Sequence, residues 1–294
     1  MIPTIDNRPF SKASMKPFPV PVVGAGSQGG EAPDYLAMPN EMGTFSLPGS
    51  PEDADPLHLA AAVRLLRALI DRMDPRDSDR RSPELDLIAL PDPVRDVLGQ
   101  TLGFGEVSAF TTAPNHWRVQ ETAFTGLWRV MKIGGQGGAL ADRLQFATIP
   151  DILIEVMRAS TTEKLAPPDL PSGVMNAAAL IDEIRLQAAS WQPGQAAHII
   201  NFTLLPMSDV DLDVLYAWLG HRDVSILSRG YGNCRITSTR LANVWWVQYF
   251  NSMDVLILNS IEITDMPDVA KASAEDLAEA VPRLREYLAS LAAE

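Results

Sequence analysis

The second half of this chain repeats the first half at a constant spacing. Residues 96–151 align with residues 213–268 at an offset of 117 positions without a gap, and at least twelve of the 56 aligned residues are identical. Only about four identities are expected by chance at average composition. A fixed internal period indicates one structural unit in tandem, so the chain must fold as two similar units. The identities include rare residue types, namely Trp128 with Trp245, Gly103 with Gly220 and Pro150 with Pro267.

The residue patterns of both copies predict an α+β fold with mainly antiparallel strands packed by helices. Asp55 and Pro56 precede apolar residues at helical spacing, which indicates the start of an amphipathic helix. Segments rich in β-branched and aromatic residues, separated by turn residues, predict the strands. The expected order in each copy is helix, strand, helix, three strands, helix. The first copy has predicted helices at 55–73, 94–102 and 151–158, with strands at 85–90, 106–111 and within 117–133. The second has helices at 174–191, 210–219 and 273–291, with strands at 199–205 and within 224–229, 235–250 and 256–263.

An arm rich in proline and glycine precedes the two units. Residues 1–56 contain ten of the 23 prolines and six of the 19 glycines, a density that predicts an extended or partly disordered segment. Gly24–Gly29 has the spacing of a dinucleotide-binding loop, but the segment before it is interrupted by prolines and no helix signal follows, which favours an arm. We therefore divide the chain into the arm (1–54), a first unit (55–165) and a second unit (166–294).

Charge and cysteine content exclude several classes of function. The formal net charge is −13, which disfavours binding to nucleic acids or to anionic membranes. The single cysteine, Cys234, excludes an internal disulfide framework and a cluster held by this chain's own thiolates. No segment has the apolar length of a signal peptide or a membrane span, so we expect a cytoplasmic protein.

Adjacent tryptophans in the second unit identify a candidate interaction surface. Trp245 and Trp246 lie in one predicted strand, where neighbouring side chains point to opposite faces. The repeat match of Trp245 with Trp128 predicts that these two are core residues. Trp246 and its equivalent Arg129 then lie on the other face, and both residue types are enriched at protein interfaces. Packing at the seam between the units explains the same residues without any partner.

The residues with catalytic potential form no recognisable constellation. The four histidines are at least 23 residues apart, and no nucleophile motif surrounds Cys234. Glu106 and Asp223 are repeat equivalents, which symmetric ion pairs explain without catalysis. We expect no metal, no cofactor and no enzymatic activity, although Glu121, Glu262 or Cys234 would be the residues of a rival enzymatic function.

Several strings taken together resemble the HupH, HyaF and HoxQ type of hydrogenase expression/formation proteins. The resemblance covers about residues 35–290. The strings that carry it are LGFGEVS at 102–108, VQETAFTGLWRV at 119–130, RGYGN at 229–233, NSIEI at 259–263 with Pro267, AEDL at 274–277, and LAMPNEMGTF at 36–45.

This resemblance implies an accessory role in maturing an uptake nickel–iron hydrogenase. Family members are thought to act as chaperones on the small subunit, which carries the iron–sulfur clusters, beside a thioredoxin-like companion and before export. The expected mechanism is holding through an exposed apolar and aromatic patch. A scaffold that joins other maturation factors without touching the small subunit is the other alternative. The candidate partner contacts are Trp246, Arg129 and Tyr231, with Met38, Met42 and Phe45 in the arm.

Overall fold

The computed structural model describes residues 46–49, 51, 54–73, 82–112, 116–135, 138–230 and 232–292. Nearly all of the arm, including the glycine cluster at 24–29, therefore lies outside the described residues. The remainder is an α+β structure with six α-helices and ten strands in its described part. The helices are α1 (Pro56–Ile70), α2 (Asp92–Leu102), α3 (Asp151–Ser160), α4 (Ala177–Ser190), α5 (Asp209–Leu219) and α6 (Ala274–Leu291). The strands are β1 (Glu84–Asp86), β2 (Val107–Thr111), β3 (Trp117–Glu121), β4 (Leu127–Ile133), β5 (Ala139–Phe146), β6 (His198–Asn201), β7 (Val224–Ser228), β8 (Asn233–Ser238), β9 (Val244–Phe250) and β10 (Leu256–Ile263).

All ten strands form one antiparallel sheet with the order β1-β5-β4-β3-β2-β7-β8-β9-β10-β6. The two halves of this order mirror one another around the pairing of β2 with β7. In that pairing Ala109 lies opposite Ile226, which is its repeat equivalent. The residue pairs on either side of this central pair are repeat equivalents of one another. The units are therefore related by an approximate two-fold axis through this pair, as in the self-complementary interface of a symmetric dimer.

The repeat offset reproduces the element boundaries. α2, β2, β4 and β5 coincide with α5, β7, β9 and β10 after a shift of 117 residues. Gly103 and Gly220 follow the two equivalent helices with φ angles of +58° and +59°. A side chain at such a φ angle is strained, which explains why glycine occurs at both positions.

Three details of the sequence prediction were wrong. Each copy contains four consecutive strands where three were expected, since 117–133 and 235–250 each contain two strands, and β5 was missed although its equivalent β10 was predicted. The strands expected at 85–90 and 199–205 end early because Asp86 and Asn201 close local turns. Their side chains accept hydrogen bonds from the N–H groups of Ile88 (2.9 Å) and Thr203 (3.0 Å), a polar alternative to the strand ladder.

Both faces of the sheet are covered. The front face, which carries Trp128 and Trp245, packs against α3 and the short 3₁₀ helix Asp268–Ala270 in one core shared by both units. Both tryptophans have 0% exposure, so their predicted core position is confirmed. The back face has a separate core in each unit, with α1, α2 and α6 over the first and α4 and α5 over the second. The C-terminal helix α6 thus returns to pack on the first unit.

We expect that replacing Trp245 with alanine lowers the free energy of unfolding by about 3 to 5 kcal/mol, because the cavity lies in the shared core. The measurement is urea denaturation followed by fluorescence and far-UV circular dichroism. Both signals should change in a single transition, since one sheet and one core connect the units. The exposed Leu186→Ala is the control and should change stability by no more than about 0.5 kcal/mol. Two separate transitions in the wild type would contradict the shared core.

Candidate functional site

Trp246 lies on the back face, opposite Trp245, but it is not exposed. Its ring stacks on Tyr216 of α5 at a centroid distance of 4.3 Å and contacts Phe202 at 5.6 Å. Only 1% of the residue is exposed. The expectation that Trp246 contributes to an open surface is therefore wrong, because α4 and α5 cover this face. Its alternation with Trp245 was predictable from the sequence, whereas the covering helices were not.

Arg129 occupies the equivalent place in the first unit and remains partly accessible. Its Nε and Nη2 atoms donate to the two carboxylate oxygens of Asp142 at 3.0 and 2.7 Å, and 30% of its side chain is exposed. The planar guanidinium is thus fixed by a two-point ion pair. The remaining predicted contacts, Tyr231, Met38, Met42 and Phe45, lie outside the described residues and stay predictions.

A cavity lies at the seam between the two units. We call it the seam cavity. It encloses about 720 Å³ between the ends of the central strands β2, β3 and β7, the 3₁₀ helix and the N-terminus of α6. Its charged lining residues are five carboxylates and two cations, namely Glu106, Glu121, Asp268, Glu275 and Asp276 with Lys271 and Arg283. The cavity therefore has a surplus of negative charge and is built from both units.

Glu121 is the most perturbed carboxyl group of this cavity. It is 6% exposed, and burial raises its pKa to about 7. Its Oε1 accepts a hydrogen bond from the N–H of Gly126 at 3.2 Å, which lowers the pKa, while the nearby charges of Glu106 and Asp276 raise it further. Desolvation by burial changes the pKa of Glu121 more than the hydrogen bond or the nearby charges do. Glu121 can therefore bind or release a proton near neutral pH.

The position related to Glu121 by the approximate two-fold axis lacks this chemistry. Ser238 stands at the position equivalent to Glu121, and its hydroxyl is bonded to the backbone of Val224. Asp223 stands at the position equivalent to Glu106 and accepts a hydrogen bond from Thr112 at 2.9 Å. The concentration of carboxylates is thus a property of one end of the molecule and is not required by the repeated fold.

Cys234, the candidate thiol, is a buried core residue. It is 1% exposed, and burial raises its pKa to about 12, so the thiol is protonated at neutral pH. A cysteine that acts as a nucleophile or a metal ligand needs a lowered pKa, because the thiolate is the reactive form. Burial also raises the pKa of Glu262. Within the described ranges, no group of three or more histidine, cysteine or acidic side chains is arranged to hold a metal ion.

The second unit exposes a set of apolar side chains along one end of the sheet. We call this set the apolar rim. The 3₁₀ turn after β6 is held beside β10 by a hydrogen bond from the N–H of Asn259 to Thr203 Oγ1 at 2.9 Å. The apolar rim consists of Leu204 in this turn, Met253 and Val255 between β9 and β10, and Ile257 in β10, all of which are exposed. No sequence signal distinguishes these residues from core residues. None of the described helices has the length and apolar character needed to cross a membrane.

Comparison with known proteins gives consistent matches over most of the chain. The C-terminal conserved region of the HupH hydrogenase expression protein matches residues 59–161 and again residues 174–291. The hydrogenase expression/formation protein HoxQ of Cupriavidus necator is 42% identical over 278 residues, covering 93% of this chain and 98% of that protein. HupH of Rhodobacter capsulatus is 38% identical over 93% of this chain and 98% of that protein, and the hydrogenase-1 operon protein HyaF of Escherichia coli is 31% identical over 76% and 81%. A solved HupH structure from Thiobacillus denitrificans is 28% identical, with a TM-score of 0.35, and covers 39% of this chain and 96% of that one.

The raised pKa of Glu121 predicts a pH dependence of stability. The folded state holds this proton up to about pH 7, whereas the unfolded chain releases it near 4.5, so the folded state binds more protons between these values. Stability from this group is therefore present below the unfolded pKa and is lost as the pH rises through the folded pKa. For Glu121→Gln relative to wild type, the free energy of unfolding should increase by about 3 kcal/mol between pH 4.5 and 7.5.

Urea denaturation at several pH values measures this difference. The exposed Glu275→Gln, which makes the same chemical change on α6, serves as the control for effects of the substitution itself. A flat profile for Glu121→Gln would show that this carboxyl group titrates normally in the folded state.

Proposed function

Because this chain belongs to the HupH family of hydrogenase expression/formation proteins, we propose that it is a chaperone for the small subunit of an uptake nickel–iron hydrogenase. Membership of the family assigns it a role in hydrogenase expression and formation. The more specific proposal is that it holds the immature iron–sulfur subunit in the cytoplasm, beside a thioredoxin-like companion, until the subunit is ready for export.

The seam cavity is the observation that carries this proposal. A cavity of about 720 Å³ with five carboxylates and two cations is large enough for side chains of a partner and complementary to a basic segment. The net charge of −13 also favours binding of a basic partner, because it attracts positive charge over a longer distance. Recognition by charge at a cavity open to solvent also permits release, because such contacts are weakened by competing ions and water.

The apolar rim offers a second kind of contact for an incompletely folded partner. Leu204 and Met253 are 80% and 77% exposed, and methionine adapts to irregular apolar surfaces. A chaperone needs such a surface because an immature subunit exposes apolar groups that are buried in the finished enzyme. In the proposed mechanism the apolar rim provides the apolar contact that was expected from Trp246.

We propose that the protein acts by binding and not by catalysis. The state of one rival residue supports this proposal, because Cys234 is a protonated core thiol and not a thiolate nucleophile. An enzyme would lose its function in Glu121→Gln while binding of the partner remained intact. A scaffold would bind companions of the maturation pathway but never the small-subunit precursor.

We expect that Asp268→Asn/Glu275→Gln weakens binding of the purified small-subunit precursor about tenfold, since both carboxylates line the seam cavity and lie on its accessible edge. Isothermal titration or biolayer interferometry at low and at high salt provides the measurement. The wild-type affinity should fall with added salt, and the variant should show a smaller salt dependence.

A matched control separates the cavity from the total charge of the protein. Glu155→Gln/Asp182→Asn removes two exposed carboxylates on α3 and α4 and therefore changes the net charge by the same amount. This variant should bind nearly as well as wild type. Equal weakening in both double variants would assign the effect to overall charge, and failure of the wild type to bind the precursor would refute the chaperone function.

A further inference from the structure

The arm joins the folded structure at the edge of the seam cavity. Leu47 and Pro48 are lining residues of this cavity. The N–H of Ser46 donates to the carbonyl of Phe104 at 3.0 Å, and the N–H of Phe104 donates back to the carbonyl of Ser46 at 3.1 Å. Because this bridge is antiparallel, it directs the chain before Ser46 towards Gly105, a further lining residue. The described end of the arm therefore points to the cavity.

The first unit holds the arm at a place that the second unit fills with one of its own side chains. A β-carbon on Gly103, at the end of α2, would lie 2.5 Å from the carbonyl oxygen of Ser46. At the equivalent Gly220, the nearest atoms belong to Arg240, whose guanidinium donates to carbonyl groups at the end of α5. The arm is thus attached to one unit only, beside the cavity.

The cavity has more negative charge than its own cations balance. Lys271 Nζ lies 2.8 Å from Asp268 Oδ1 and 3.7 Å from Asp265 Oδ1, so its charge is already paired. Arg283 is the one remaining cation among the lining residues that the structure describes. It faces four further carboxyl groups, those of Glu106, Glu121, Glu275 and Asp276. An occupant with several cationic side chains therefore fits this cavity.

The arm itself carries such a segment. Residues 7–30 contain three basic side chains, Arg8, Lys12 and Lys16, and no aspartate or glutamate, in a chain whose net charge is −13. We call residues 8–16 the basic segment. Its charge is opposite to that of the cavity beside which the arm is attached.

The connection between the basic segment and the cavity is long enough for contact. Residues 17–45 join the basic segment to Ser46. A fully extended chain of this length spans about 95 Å, so no steric limit keeps the two apart. Tethering also makes the contact intramolecular, with an effective concentration that reaches about 1 mM for short tethers. A contact too weak to join two separate molecules is therefore sufficient here.

We propose that the basic segment of the arm occupies the seam cavity of the free protein and competes there with other basic segments. The cavity is then available only for the fraction of time that the arm is displaced, and the apparent affinity for any competitor falls by that fraction. As a control on binding of the small-subunit precursor, this device rests on the proposed function. The contact between arm and cavity does not, since it involves this chain alone.

A spin label in the basic segment of the full-length protein tests the contact. Cys234 is buried and protonated, so a thiol-specific nitroxide reacts selectively with the new thiol of Ser11→Cys. The label should broaden the methyl NMR signals of Val107 and Val269, which line the cavity, at least fivefold more than that of Leu186 on α4. Equal broadening of all three signals would overturn the proposal.

Removal of the arm's charge shows whether electrostatic attraction holds it. In the labelled protein, Arg8→Gln/Lys12→Gln/Lys16→Gln should bring the broadening at the cavity to within twofold of that at Leu186. High salt should act in the same way, because the Debye length falls from about 10 Å at 0.1 M to about 3 Å at 1 M. Broadening that persists in the triple variant would assign the contact to the apolar part of the arm and refute the role of the basic segment.

The cavity side has a matched pair of variants. Asp268→Asn/Glu275→Gln removes two carboxylates of the seam cavity and should reduce the selective broadening at least twofold. Glu155→Gln/Asp182→Asn removes the same charge from α3 and α4 and should leave it unchanged. Equal reduction in both double variants would show that the arm responds to total charge and is not bound in the cavity.

Competition is measured with a synthetic peptide that has the sequence of residues 7–18. This peptide should bind the triple arm variant at least fivefold more tightly than wild type, whose cavity is occupied by its own arm. Equal affinity for both proteins, or no binding to the triple variant, would overturn the proposal. Because no partner takes part in these measurements, failure of the protein to bind the small-subunit precursor would refute the proposed function without changing their outcome.

Discussion

The pairing of β2 with β7 is the interaction on which the rest of the structure depends. Each unit would otherwise end in an exposed strand edge, and unpaired edges are prone to association. The pairing closes both edges at once and places Ala109 and Ile226 on the approximate two-fold axis. It also brings Trp128 and Trp245 into one core. The seam cavity exists only because this contact brings the ends of strands from both units together.

Within this symmetric frame, the differences between the units are more informative about function than the shared residues. Shared positions such as Gly103 and Gly220 serve the fold, since each ends a helix at a φ angle that favours glycine. By contrast, the fold accepts serine at 238 where the first unit has Glu121, and tyrosine at 216 where the first unit has Gly99. The buried carboxyl group of Glu121 lies in the first unit, at the seam. The repeated fold does not require a carboxyl group at this position, since serine occupies the equivalent position in the second unit.

Much of the architecture could be predicted because it is encoded in local patterns. The N-cap of α1 is Asp55, whose side chain accepts a hydrogen bond from the N–H of Leu57 at 2.8 Å as its sequence position suggested. β5 was missed because its first half is exposed and gives no clear alternation, although the repeat offset from β10 would have located it. The early ends of β1 and β6 were missed because Asp86 and Asn201 stop the strands through side-chain hydrogen bonds that compete with the ladder.

The sequence alone determined the repeated α+β unit, the core positions of Trp128 and Trp245, and the family to which the chain belongs. These properties follow from periodicity and residue identity, which act over short stretches of chain or are compared directly with other chains. Only the tertiary structure decided that Trp246 is covered, that Glu121 is buried beside other carboxylates, and that Arg129 forms a two-point ion pair with Asp142. Each of these depends on elements more than ten residues away in the chain, because burial and charge are set by what packs against a side chain and not by its neighbours in sequence.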